Sequence, residues 1–254
     1  MCGIAGVYNL STAPKFGRTA KPILDRMVDA IFHRGPDDSG TYINDKLGFG
    51  STRLSILDLS EAGHMPMFDK PSGNCIVHNG EVYNYKELIK KFNLDVFSAT
   101  DTEVILKLYN KLGKKCLNEF NGMFSFAIWD DVNQKLFLAR DRLGIKPLFY
   151  SHFKDNIYFS SEIKSLLRAG IPFDPDYDII YDYLAYGVYD HSDKTFFKNV
   201  KQLPAGYSME IDKNKVKIEK YWDLNPSQEY NLVDQFQSGL DSSNGSESFL
   251  DLLT

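Results

Sequence analysis

The chain has 254 residues, of which 43% are hydrophobic and 25% charged, the balance of an ordinary globular protein long enough to bury a sizeable core. A formal net charge of −5 gives no basic footprint for nucleic acid, and no apolar run reaches the roughly 18–20 residues of a membrane span. The first residues also lack the basic and apolar regions of a signal peptide, and three cysteines, Cys2, Cys75 and Cys116, suit neither a metal site nor a disulfide framework, which points to a reducing, cytoplasmic compartment.

In chain order, GIAGVY at 3–8 predicts a short buried strand. Ile23, Leu24, Met27, Val28 and Ile31 recur at helical spacing, and Gly35–Pro36 stops that helix. TYIND predicts a strand with a turn at Asn44–Asp45, and LGFGSTRLSIL a second strand over 47–57. NCIVHNGEVYN reads as a strand running into a turn, followed by a short helix, YKELIKKF. Thr100 caps a longer helix, with Glu103 completing a capping box and Gly113 near its end. FSFAIWD and KLFLARD predict a hairpin through DVNQ, and PLFYSHF and IYFSSE another through KDN. Their imperfect alternation suits strands covered on both faces. SEIKSLLRAG and DIIYDYLAYG predict two more helices, and GYSMEID with KVKIEKYW a hairpin around Lys213–Asn214. Hairpins beside helices, without regular βαβ alternation and without internal repeats, predict an α+β fold with antiparallel sheets. From about Asn225 the sequence turns polar and reads as a linker or disordered tail, before FLDLLT begins a helix.

The chemistry starts at MCGIAG. If Met1 is removed, Cys2 carries a thiol and a free α-amine together. The thiol (pKa about 8.5) needs a base, and the amine (about 7.7–8.0) is one near neutral pH. Gly3, Ala5 and Gly6 leave backbone room around it. The alternative is an incidental second-position cysteine. Asn79 and Gly80 pair a side-chain amide with an unshielded backbone N–H, which could form an oxyanion hole or simply a strand-to-turn Asn-Gly. Arg53 lies in an apolar stretch and needs an anionic partner, either a substrate carboxylate or an internal salt bridge. Asp101 at a helix N-terminus could bind a substrate ammonium or compensate the helix dipole. Cys75 and Cys116 read as packed thiols, and His78 as local packing; the five histidines share no metal-ligand spacing.

MCGIAGVYN, HRGPDDSG, RLSILDLS, HNGEVYNY, ATDTEVIL, GMFSFAIWD, RDRLGIKPLFY, SSEIKSLL, LPAG and KYWDL follow one another across residues 2–224. Together they resemble the glutaminase domain of glutamine-hydrolysing asparagine synthetase, a class II glutamine amidotransferase. The resemblance implies an N-terminal-nucleophile hydrolase fold, a four-layer α-β-β-α sandwich of two antiparallel sheets. It implies that Cys2 attacks the side-chain amide of glutamine, while Asn79 and Gly80 hold the oxyanion. It implies that Arg53 binds the α-carboxylate with backbone groups of Leu54, Ser55, Ile56 and Leu57, and that Glu81 and Asp101 receive the α-ammonium. His33, Arg34 and Gly35 would shape the loop beside the nucleophile. No cofactor is implied for this half; ATP and Mg belong to a synthetase domain. The expected partners are glutamine and a synthetase domain or subunit, with a homodimer left open and neither nucleic acid nor membrane involved.

On this reading residues 2–224 form the glutaminase domain, and residues 225–254 a linker and the start of a truncated synthetase domain. QSGLDSSNG at 237–245 imitates a pyrophosphate loop but lacks the second glycine and a preceding apolar strand. The alternatives are a non-catalytic interaction module that keeps the fold, or an amidotransferase subunit for a sugar carboxylate.

Overall fold

The computed structural model describes residues 1–11, 16–212 and 215–224. Its first strand, β1 (Gly3–Asn9), lies inside a six-stranded antiparallel sheet with β2 (Asp38–Ile43), β3 (Leu47–Arg53), β8 (Phe149–Phe153), β9 (Asn156–Ser160) and β10 (Lys201–Gln202). The strand order is β10-β8-β9-β1-β3-β2, so β1 pairs with β3 on one side and β9 on the other. The second sheet also has six strands: β4 (Met67–Phe68), β5 (Cys75–Val82), β6 (Gly122–Asp130), β7 (Lys135–Arg140), β11 (Tyr207–Asp212) and β12 (Lys215–Lys220), in the order β12-β11-β7-β6-β5-β4.

The side-chain alternation of each strand sorts the core into three layers. Between the sheets lie Ile4 and Tyr8 of β1, Leu47 and Phe49 of β3, and Val77, Ala127, Trp129 and Leu138 from the second sheet. On the outside of the first sheet, Ala5, Val7 and Tyr158 meet α1 (Phe16–Ala30) and α4 (Ile163–Arg168). On the outside of the second, Ile76, Phe124, Phe126 and Phe137 meet α2 (Tyr85–Phe92) and α3 (Asp101–Leu112). The four layers α-β-β-α are those the sequence resemblance implies. The predicted hairpins pair as expected, β6 with β7, β8 with β9, and β11 with β12. The Lys213–Asn214 turn and the whole of 225–254, including FLDLLT and QSGLDSSNG, lie outside the described residues.

Four local expectations need correction. The third strand ends at Arg53 and does not run on through SIL, because the Arg53 side chain turns back to bond the carbonyls of Asp58 and Ser60 and holds the intervening backbone in a loop. The strand-to-turn alternative for Asn79–Gly80 fails, because both residues lie within β5 and the turn follows at 83–84. Gly6 serves packing and not the site: a Cβ there would sit 2.1 Å from the Phe159 ring. The α3 cap is an extended form of the capping box. Thr100 Oγ1 accepts from Glu103 N–H at 3.3 Å, but the Glu103 carboxylate reaches past it to the N–H groups of Phe97 and Ser98. The fifth helix, α5 (Tyr177–Tyr186), is capped by Asp176 and buries only Ile179.

Candidate active site

Cys2 immediately precedes β1, and Gly3 is in register with Thr52, which places the thiol beside the end of β3 and Arg53. A cleft of about 140 Å³ opens there, lined by Met1, Cys2, Arg53, Asn79, Glu81 and Asp101, with Leu54, Ile56, Leu57 and Gly80 around them. β5, β6 (through Met123) and α3 therefore meet the end of β3 there. Of the catalytic and glutamine-binding residues that the resemblance implies, Ser55 alone does not line it: Ser55 lines a neighbouring cleft, and its N–H donates to Asp37 Oδ2 at 2.8 Å.

The thiol of Cys2 is half-buried and lies 3.7 Å from the Leu54 carbonyl oxygen. Burial raises its pKa above the ordinary thiol value, against the opposing pull of the Leu54 backbone, the positive chain terminus and Arg53. Such a thiol needs a base to become a nucleophile. Its backbone is held from outside: Arg34 Nε donates to the Cys2 carbonyl at 2.8 Å, and Arg34 Nη1 bonds Glu162 at 2.9 Å. Glu162 also meets His33 and Lys164, each at 2.9 Å. Cys75 and Cys116 are fully buried, and burial pushes both thiols far above their ordinary value.

Gly80 has φ +150°, and a Cβ there would sit 2.1 Å from the Met123 carbonyl oxygen, so only glycine fits. Phe124, opposite it on β6, directs both its N–H and its C=O to Asp141. In an antiparallel pair that makes Gly80 and Phe124 a non-bonded pair, and the Gly80 N–H points away from β6. β4 pairs only with Cys75 and Ile76, so among the described residues no strand covers that N–H. Asn79 is fully buried; its Nδ2 lies 3.5 Å from Ser125 Oγ and its Oδ1 has no partner. The cleft that Cys2 lines thus also holds the uncovered Gly80 N–H and the Asn79 side-chain amide, whose Nδ2 keeps one hydrogen beyond its long contact with Ser125.

Arg53 is buried, and its guanidinium donates to the carbonyls of Asp58 and Ser60. Among the described residues no carboxylate comes within 4.0 Å of it, so the internal salt bridge is absent. Asp101 opens α3 and accepts from Val82 N–H at 2.7 Å through one oxygen. Glu81 and Asp101 also lack a cationic side chain within 4.0 Å among the described residues. His78 is buried behind them, with Nδ1 bonded to Thr102 at 3.0 Å and burial holding its pKa below the usual imidazole value, as a packed neutral ring.

Sequence reasoning missed Lys146, which lines the same cleft, and Glu162, which braces Arg34. The argument applied to Arg53, that a cation in an apolar run needs a partner, would have singled out Lys146 in LGIKPL. Glu162 carries no comparable signal, because its role depends on a contact across 128 residues of sequence. Among the described residues no group of three His, Cys, Asp or Glu is placed to hold a metal ion, and no helix is long and apolar enough to cross a membrane.

Comparison with known proteins agrees with this fold. The glutamine amidotransferase domain family matches residues 1–222. A putative glutamine-hydrolysing asparagine synthetase 2 from Methanocaldococcus jannaschii is 41% identical, covering 88% of this chain and 47% of its own length. Asparagine synthetase 2 (glutamine-hydrolysing) from Bacillus subtilis is 42% identical, covering 88% of this chain and 31% of its own length. The chain thus spans half or less of these relatives. In fold it is similar to the solved allosteric regulatory enzyme of purine biosynthesis, with a TM-score of 0.64 at 18% identity, over 88% of this chain and 50% of that one. The glutamine phosphoribosylpyrophosphate amidotransferase of B. subtilis gives 0.62 at 17% identity, with the same coverage. With a family match across all twelve strands of the described residues and relatives this similar, the chain belongs to the class II glutamine amidotransferase domain family.

Proposed function

We propose that this chain hydrolyses glutamine to glutamate and ammonia through a thioester on Cys2. The observation that carries the reading is the set of unpaired charges around the nucleophile. A buried guanidinium and two carboxylates, none matched by an opposite side chain among the described residues, suit the carboxylate and ammonium of one free amino acid. Arg53 takes the α-carboxylate with the backbone of the 54–57 loop; Glu81 and Asp101 take the α-ammonium.

Once Met1 is removed, the Cys2 α-amine accepts the thiol proton and the sulfur attacks the side-chain amide carbon. The carbonyl oxygen becomes an oxyanion held by Asn79 Nδ2 and the Gly80 N–H. The amine returns the proton to the leaving nitrogen, ammonia departs, and water cleaves the thioester to give glutamate. The Cys2 amine carries the thiol proton to the leaving nitrogen and then a proton from water back to the sulfur, so this half is assigned no cofactor. The named relatives are asparagine synthetases about two to three times as long as this domain. We therefore assign the ammonia to ATP- and Mg-dependent amidation of aspartate by a synthetase domain or subunit, with residues 2–224 as the glutaminase domain and 225–254 leading towards that partner.

The test is glutamate release from glutamine by protein whose loss of Met1 is confirmed by mass spectrometry, with Cys2→Ala in parallel. Release that disappears in the variant is expected, together with a glutamine-mimicking diazoketone adduct mapping to Cys2. An adduct on Cys75 or Cys116 would overturn the assignment.

A further inference from the structure

Lys146 is 5% exposed and belongs to the loop between β7 and β8. Its backbone is clamped on both sides. The Lys146 N–H donates to Asp141 Oδ2 at 2.9 Å, and Arg140 Nε donates to the Lys146 carbonyl at 2.9 Å. Its side chain runs into the cleft that holds Cys2. There Nζ contacts the Met1 sulfur at 3.4 Å, and among the described residues no carboxylate comes within 4.0 Å of it. A buried ammonium whose one polar contact is a thioether is an expensive arrangement. It is unexplained by packing alone, since a methionine would fill the same space.

The contact that Lys146 does make belongs to the residue that the proposed chemistry discards. When Met1 leaves, two things happen at one place: Lys146 loses its sulfur contact, and Cys2 gains a free amine. The covalent path from Met1 Sδ to Cys2 N crosses five bonds, so the two nitrogens lie within roughly 10 Å of one another. We propose that Lys146 tunes the N-terminal base: its positive charge disfavours the ammonium form of the Cys2 α-amine and keeps that amine free to accept the thiol proton at neutral pH. The inference rests on the reading of Cys2 as the nucleophile and gives that site a residue acting through Cys2 rather than on the substrate.

The other charged and titratable groups around Cys2 set the background. Arg34 holds the Cys2 carbonyl, Arg53 stands at the end of β3, Asp58 lies on the loop after it, and Glu81, His78 and Asp101 come from β5 and α3. The three carboxylates would stabilise an ammonium at Cys2, which is the wrong form for a base, and bound glutamine neutralises Glu81 and Asp101 only after it arrives. Lys146 opposes them in the free enzyme. Repulsion between like charges at this range, in a partly buried site, displaces the amine midpoint downward by about one pH unit. Below that midpoint the amine is protonated and the base is lost, so Lys146 extends activity towards lower pH.

The experiment is a carbon-13 NMR titration of the full chain labelled at cysteine, after loss of Met1 is verified, with the Cys2 signals identified by their absence in Cys2→Ser. Wild type, Lys146→Met, Lys146→Gln and Lys146→Arg are compared. The expected result is an amine midpoint about one unit higher in the Met and Gln variants, with the Arg variant close to wild type. The acid limb of kcat/KM for glutamine should move by the same amount. A merely structural lysine would lower kcat/KM equally at every pH. Unchanged midpoints in whichever neutral variant folds would overturn the inference while leaving a working glutaminase intact. A shifted midpoint without glutamate release would instead retain the electrostatics and overturn the proposed function.

Discussion

At Arg53 the guanidinium donates to two carbonyls of its own loop and meets no carboxylate among the described residues, so its orientation is set before any ligand arrives. Lysine has the charge but not the planar fork. Arg53→Lys is therefore expected to raise the KM for glutamine on the order of 10–100-fold with a smaller change in kcat, measured by steady-state glutamate release. Gly80 supplies the opposite case, a residue whose value is the atom it lacks. Gly80→Ala would force a Cβ against the Met123 carbonyl at an unfavourable φ. A loss of about 2–4 kcal/mol of stability is expected, with glutaminase activity falling at least ~100-fold, as urea unfolding and rate assays would record. Arg53 was legible in the sequence as a charge among apolar neighbours, and Gly80 as an unshielded N–H beside the Asn79 amide, although its place inside β5 was not. Ser55 carried no such signal and was placed only by its position in a motif, and it faces the neighbouring cleft.

At the scale of elements, the start of β1 is steadied by the start of α4. Glu162 at the N-cap of α4 holds Arg34, which holds the Cys2 carbonyl. Burial works to raise the Glu162 pKa, but hydrogen bonds from Arg34, Lys164 and His33 outweigh it and leave the carboxyl below its usual range. A carboxylate with a depressed folded pKa contributes stability that is fully present above its unfolded value, about 4.3, and is lost as the pH falls through the folded one. Glu162→Gln should cost about 1–2 kcal/mol at pH 7, since Arg34 is left nearly buried without its partner, and the gap to wild type should close as the pH drops below about 4. Denaturant melts at several pH values would show this. The hairpins, α2 and α3 were readable because their signals are local: turn residues between apolar runs, and a Thr100–Glu103 cap. The two-residue strands β4 and β10 were not, because edge pieces of that length carry no periodicity and exist through pairing with β5 and β8.

Across the whole molecule, two sheets and their covering helices produce three apolar layers, and they divide the cysteines between fates. Cys75 lies between the sheets and Cys116 under α3, both fully buried, while Cys2 borders the cleft. A thiol reagent should therefore find one fast equivalent in the native protein and three in denaturant; two or more fast equivalents would contradict this packing. The sequence alone, read for its periodicity, predicted antiparallel sheets beside helices, and the resemblance supplied the four layers. Neither composition nor spacing could have said that β1 sits between β3 and β9 or that β7 pairs with β11, because those pairings join distant segments and leave no mark within either one.

The position of β1 also sets a clock. Its Ala5 faces Ser160 across the sheet, so β1 leaves the ribosome about 150 residues before its second neighbour exists. At synthesis rates of ~5–20 residues per second, that interval lasts on the order of 10–30 s. Removal of Met1, which the proposed function requires, would fall within that interval on an end that is not yet part of a finished sheet. On the function proposed for Cys2, the nucleophile would thus be released early in the life of the chain and assembled late, with β5 and the 54–57 loop already made when the last neighbouring strand pairs with β1.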